Sequence, residues 1–170
     1  MGESMQTSEV TALYQYNYWA NGLILKVAGA AGEDLYRAPA QVSFGSLQGT
    51  LVHILSAEWL WRLRCQEGKS PSFHLRKEDF PTLRSLGERW LDEEQKMLAY
   101  IAGLKDSSFE SQIRYTNTMG VDFSTPLWQI LLHVVNHGTQ FRSEAAVVLT
   151  EAGFSPGNLD LIRYVRERPA

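Results

Sequence analysis

Two histidines four residues apart open the chemistry of this chain: His133 and His137 in the apolar stretch "LLHVVNHGTQFRSEA". On a helix this spacing turns through about 40° and rises about 6 Å, so both imidazoles can reach one point in front of the helix. That is the arrangement helical zinc sites use. The same spacing also arises where neutral histidines are simply hydrogen-bonded in a core. A third imidazole, His53, falls in another apolar helix, "SLQGTLVHILSAEWLW", with the small residues Gly49, Thr50, Ser56 and Ala57 around it. Three neutral imidazoles around Zn²⁺ or Ni²⁺ leave a coordination position for water or substrate, as in a catalytic site. The metal would lower the pKa of a bound water or thiol and orient it for attack. The fourth histidine, His74, lies in the charged loop "KSPSFHLRKEDFP" and is expected to be solvated.

Positioning these rings requires facing helices, and the chain supplies them. Apolar residues recur at helical spacing over residues 7–30, after a polar start, "MGESMQ", that is expected to fray. A second helix runs from a Ser46 cap to a stop at Gly68 and is apolar on nearly every side, so it should be central. A third, over residues 80–104, carries a charged outer face. Residues 111–125 alternate around Gly120 as a short hairpin. Thr125 as cap and Pro126 as first helical residue begin a fourth long helix reaching about residue 152, and residues 158–167 form a last short helix. The expected fold is all-α: a four-helix bundle with a long crossover connection, a short β-hairpin before the last long helix, and a short C-terminal helix. No internal boundary interrupts it, so residues 1–170 are read as a single domain.

On the fourth helix, Gln129, His133, His137, Gln140 and Glu144 form one stripe beside an apolar one of Ile130, Val134, Phe141, Ala145 and Val148. Polar groups thus border the packing face. Glu144 lies about 10 Å along the axis from His137, too far to share its first shell, and is expected at the rim. Cys65 follows His53 by twelve residues, about 18 Å along the same helix, and cannot meet that metal.

Composition bounds the rest. The 170 residues carry 16 basic and 19 acidic side chains, a net charge of -3 with no basic stripe, which argues against nucleic acid as a partner. One cysteine excludes an intramolecular disulfide, and no apolar run of membrane-spanning length or secretory signal is seen, so a cytoplasmic location is expected. Five Trp, seven Tyr and seven Phe are an aromatic load suited to a core and to subunit contacts.

The segments "YNYWANGLIL", "SLQGTLVHILSAEWLW", "TPLWQILLHVVNHGTQFRSEAAVVLTEAG" and "SPGNLDLIRYVRE" together resemble the DinB and YfiT-like family over most of the chain. The resemblance implies a bundle with a long crossover, a homodimer, and a divalent metal held by one histidine of helix two and two residues of helix four. By position His53 and His137 match two of those ligands. Many relatives carry a histidine four residues further on, where this chain has Phe141, and Ser143-Glu144 stand where relatives have Gly-Gln. Either His133 is the third ligand or the site is depleted. The metal reading ends if the phenyl group of Phe141 plugs the gap between the rings.

Family members with assigned activities resemble thiol-dependent enzymes, which implies a divalent metal, Zn or Ni, a low-molecular-weight thiol and a small electrophilic substrate. The alternatives are metal-assisted hydrolysis, with Glu144 or Glu58 nominated as base, and a noncatalytic dimeric helical bundle with a depleted metal site. No catalytic residue beyond the ligands is legible.

Overall fold

The computed structural model describes residues 5–167. Residues 1–4 of the polar start lie outside that range. Helix α1 spans Thr7–Ala31 and the short α2 Glu33–Arg37. Helix α3, Leu47–Arg62, continues into one wider π-type turn over Leu63–Glu67 and stops at Gly68, whose φ of 63° is left-handed. Helix α4 covers Leu83–Ala102, strands β1 and β2 cover Gln112–Thr116 and Asp122–Pro126, α5 covers Leu127–Glu151 and α6 Leu161–Glu167.

Helix starts follow the capping residues. Ser46 accepts from the Gly49 amide at 3.0 Å, and Thr82 accepts from the Ser85 amide at 3.1 Å, each supplying an acceptor for an amide that the first turn leaves unpaired. The start of α5 differs from the expectation. Thr125 and Pro126 are the end of β2 rather than cap and first helical residue, and no side chain caps the helix. Instead the amides of Leu127 and Trp128 donate to the carbonyls of Ser111 and Phe109, both at 3.0 Å. The hairpin and its approach therefore terminate α5, a long-range partner that no local cap signal announces.

The four long helices form a ring. Helix α3 packs against α4 and α5, and α1 packs against the same two, so α1 and α3 stand at opposite corners. Residues 32–46 cross that diagonal, and residues 103–126, with the hairpin, connect the other. In the hairpin Arg114 pairs with Ser124 and Gln112 with Pro126. Helix α3 is buried along most of its length, as its all-round apolarity predicts.

The core divides into two apolar clusters. Ile24, Leu51, Leu55, Trp90, Phe141 and Leu149 belong to one; Tyr14, Met97, Phe109, Leu131 and Val135 belong to the other. Each fully buried Leu or Ile stabilises the fold by roughly 1.5–3 kcal/mol relative to exposure. At the junction of the clusters lie buried polar side chains: Asn17, Asn21, Glu58 and Arg142. Among the described residues no helix is long and apolar enough to cross a membrane.

Candidate functional site

Helix α3 presents His53 and helix α5 presents His137, and the helices pack so that the two Nε2 atoms stand 3.0 Å apart. Two imidazoles at that distance share one hydrogen, the N–H of one donating to the bare nitrogen of the other. Burial, with neighbouring imidazoles adding to it, lowers each pKa to about 4. At neutral pH the pair is uncharged.

Both rings are enclosed by phenyl groups. Phe44, from the 38–46 segment, stacks on His53 at a centroid distance of 3.8 Å and an interplanar angle of 21°. Phe141, one turn beyond His137, is 8 % exposed and lies 4.6 Å from the His53 ring and 4.6 Å from the His137 ring. The position one turn beyond His137 is thus filled by apolar carbon against both imidazoles. His133 lies on the exposed part of its stripe, 5.7 Å from the His137 ring and edge-on to Trp61 at 5.5 Å.

These contacts test the donor set for a divalent metal. His53 and His137 bring two nitrogens to one point, but the third direction next to them is taken by the Phe141 phenyl group, and His133 packs on Trp61. Among the described residues no three His, Cys, Asp or Glu side chains form a group that could hold a metal ion. A three-histidine centre does not fit the residues as arranged.

Part of the room expected beside His53, directly over Gly49, is occupied. A Cβ on Gly49 would overlap the carbonyl oxygen of Phe44, so the missing side chain admits the backbone of the 38–46 segment and not a ligand. That segment is held by Glu144, which accepts from the Ser43 amide at 2.9 Å and from its hydroxyl at 2.6 Å. Glu144 is a rim residue with a defined task, fastening the segment that carries Phe44. Glu58 does not serve the histidines as a base: it is 1 % exposed, its carboxyl hydrogen-bonded to the Tyr18 hydroxyl at 2.5 Å, and burial pushes its pKa up to about 8. Cys65 is half-buried in the π-type turn, and burial pushes its thiol up to about 12.

His74 is exposed, as its loop position predicts, but it is also engaged: its Nδ1 lies 3.2 Å from the Ser56 hydroxyl, and its ring is 6.1 Å from that of His53. Burial lowers its pKa. With Phe44, Gly49, Val52, His53, Ser56, Leu75 and Lys77 it lines a cavity of about 280 Å³. A larger hollow of about 640 Å³ sits beside the hairpin, lined by Arg114, Tyr115 and Phe123, and no histidine borders it.

Sequence reasoning gave Phe44 no role, took His74 only as solvated and Ser56 only as a small residue beside His53. The signal for Phe44 and His74 was the position of their loops on either side of the helix that carries His53 and Ser56. It also missed the buried Arg142, 2 % exposed, whose guanidinium donates to the side-chain oxygens of Asn17 and Asn21 and to the Thr139 hydroxyl.

Comparison with known proteins gives the family. The protein DinB of Bacillus subtilis (strain 168) is 24% identical over 160 residues, which cover 90% of this chain and 91% of that protein. The family model described as DinB matches residues 1–169, and the chain belongs to the DinB family.

Proposed function

We propose that this DinB-family chain is a small-molecule-binding bundle that works without a resident divalent metal, its metal centre replaced by a neutral imidazole pair. One observation carries the reading: the Phe141 phenyl group lies 4.6 Å from both the His53 and the His137 rings, where a third donor would have to enter. A phenyl group offers no lone pair, and removing it from that contact would expose apolar surface. The 280 Å³ cavity beside the pair, part apolar and part polar, is the binding site of this reading.

Metal analysis tests it. Protein equilibrated with Zn²⁺ or Ni²⁺ and then dialysed should retain less than about a tenth of an equivalent, while Phe141→His, which restores a third imidazole, should retain about one. Wild-type protein holding about one equivalent would overturn the proposal.

The second reading is a metal centre of His53, His133 and His137 serving a thiol-dependent transferase or a hydrolase. The i, i+4 relation of His133 to His137, with rings 5.7 Å apart, favours it. It requires His133→Ala to lose metal that the wild type binds, so the same measurement decides between the two.

A further inference from the structure

The cavity beside the imidazole pair has an asymmetry in its polar groups. Ser56 is fully buried, and its hydroxyl oxygen accepts from the Leu75 amide at 2.9 Å. The hydroxyl hydrogen has one partner among the described residues, His74 Nδ1 at 3.2 Å. Ser56 therefore donates to Nδ1, which fixes the hydrogen of the neutral His74 ring on Nε2. A ring that lines the cavity is thereby held as a hydrogen-bond donor. Lys77 lines the same cavity and makes no ion pair among the described residues. The nearby carboxylate of Asp79 is engaged by Arg76 at 3.4 Å.

Among the described residues no Asp or Glu borders the cavity. Its polar equipment is a fixed N–H donor, an ammonium group and the His53 ring, while Phe44, Val52 and Leu75 supply apolar walls. Apart from one nitrogen of the neutral His53 ring, such a lining offers a neutral polar ligand's own donors no side-chain acceptor, and it matches a ligand whose polar end only accepts. The volume, about 280 Å³, is at the small end of ligand pockets and suits a single ring. The exposed face of Phe44, 38 % accessible, offers an aromatic surface for that ring to pack on.

Resting on the proposed binding function, we propose that this cavity takes a small monoanionic aromatic carboxylate, its ring between Phe44, Val52 and Leu75 and its carboxylate on His74 Nε2–H and the Lys77 ammonium. Ser56 acts as a positioning residue by fixing the His74 tautomer.

The test is calorimetric titration of the full chain with benzoate, phenylacetate, the neutral isostere benzamide and inorganic phosphate, in chelator-treated protein and again with Zn²⁺ present. Benzoate or phenylacetate should bind at least about tenfold tighter than benzamide, because an ammonium and an N–H contribute more to a charged acceptor. Lys77→Met should weaken the carboxylate by about fivefold, with Lys77→Arg largely restoring it. Ser56→Ala should weaken the carboxylate while leaving benzamide unchanged. Equal affinity for benzoate and benzamide, binding of phosphate alone, indifference to Lys77→Met, or no binding of any probe would overturn the proposal. Retention of Zn²⁺ is read separately on the same preparation. Carboxylate binding by protein that also holds metal would sink the metal-free reading alone, and metal-free protein that binds no carboxylate would sink the ligand alone.

Discussion

His53 is covered from outside by a loop residue, Phe44, and shares the Phe141 ring with His137, whereas Glu58 is enclosed by helices at the junction of the two core clusters. Both regions hold titratable groups that desolvation keeps neutral at pH 7, and they shift in opposite directions: the imidazoles down to about 4, the carboxyl up to about 8. The difference lies in what maintains the dryness. Around Glu58 it is the packing of α1, α3 and α5, with the Tyr18 hydroxyl as hydrogen-bond partner. Around the imidazoles it is Phe141 on one side and, over His53, a short segment fastened by Glu144 and admitted by the absence of a side chain at Gly49. A site sealed by a segment can be opened without unfolding the bundle; a site sealed by the bundle cannot.

The largest expected effect breaks the symmetry of the two regions in pH. The folded-state pKa of Glu58 is raised from 4.5 to about 8, so the stability it permits is fully present below pH 4.5 and is lost as pH rises through 8. The loss is on the order of 4 kcal/mol. The imidazoles have lowered folded-state values, so their stability is present above pH 6.5 and is lost as pH falls through 4. Urea unfolding across pH 4 to 9 should show both limbs. Glu58→Gln should flatten the alkaline limb and leave the acid one, and an alkaline limb that persists in this variant would sink the assignment.

A smaller effect distinguishes loop from helix as the seal. Gly49→Ala forces the Phe44 carbonyl away, at a cost of about 1–3 kcal/mol. Histidine proton resonances should then report the His53 pKa moving up toward 6.5, while the alkaline limb from Glu58 stays in place. If both regions respond together, the separation drawn here fails. The smallest effect comes from Glu144→Ala, worth under about 1 kcal/mol because the contact is partly solvated. Amide exchange at Ser43 should nonetheless accelerate, with α3 amides around Glu58 unchanged.

Much of this arrangement was legible in the residues. The stripe of Gln129, His133, His137, Gln140 and Glu144 follows from helical period alone, and the structure keeps it exposed or half-buried beside a buried apolar stripe. The all-round apolarity of the second helix predicted a central position, and a central helix carrying His53 must face another element. What periodicity does not encode is which loop returns over that helix. Phe44, His74 and the Ser56 hydroxyl meet through two connections whose paths depend on the diagonal order of the helices. The Tyr18–Glu58 contact spans 40 residues and leaves no local pattern. The start of α5 was misplaced by one residue for the same reason, since carbonyls from the chain just before the hairpin, and no nearby cap, meet its first amides. Phe141 shows the converse. Its position one turn beyond His137 follows from the sequence alone, and its ring lies 4.6 Å from each of the two histidine rings.

The connection from α2 to α3 joins opposite corners of the helix ring, and it also carries Phe44. Pro39 and Ser46 pair as an antiparallel bridge and the Ala40 amide donates to the Gly45 carbonyl at 2.9 Å, so this tether is closed on itself as a loop, and that closure holds the aromatic cover in place. Proteolytic nicking of this tether would therefore do two things at once: uncouple the corners and bare the imidazoles, with every helix still wound.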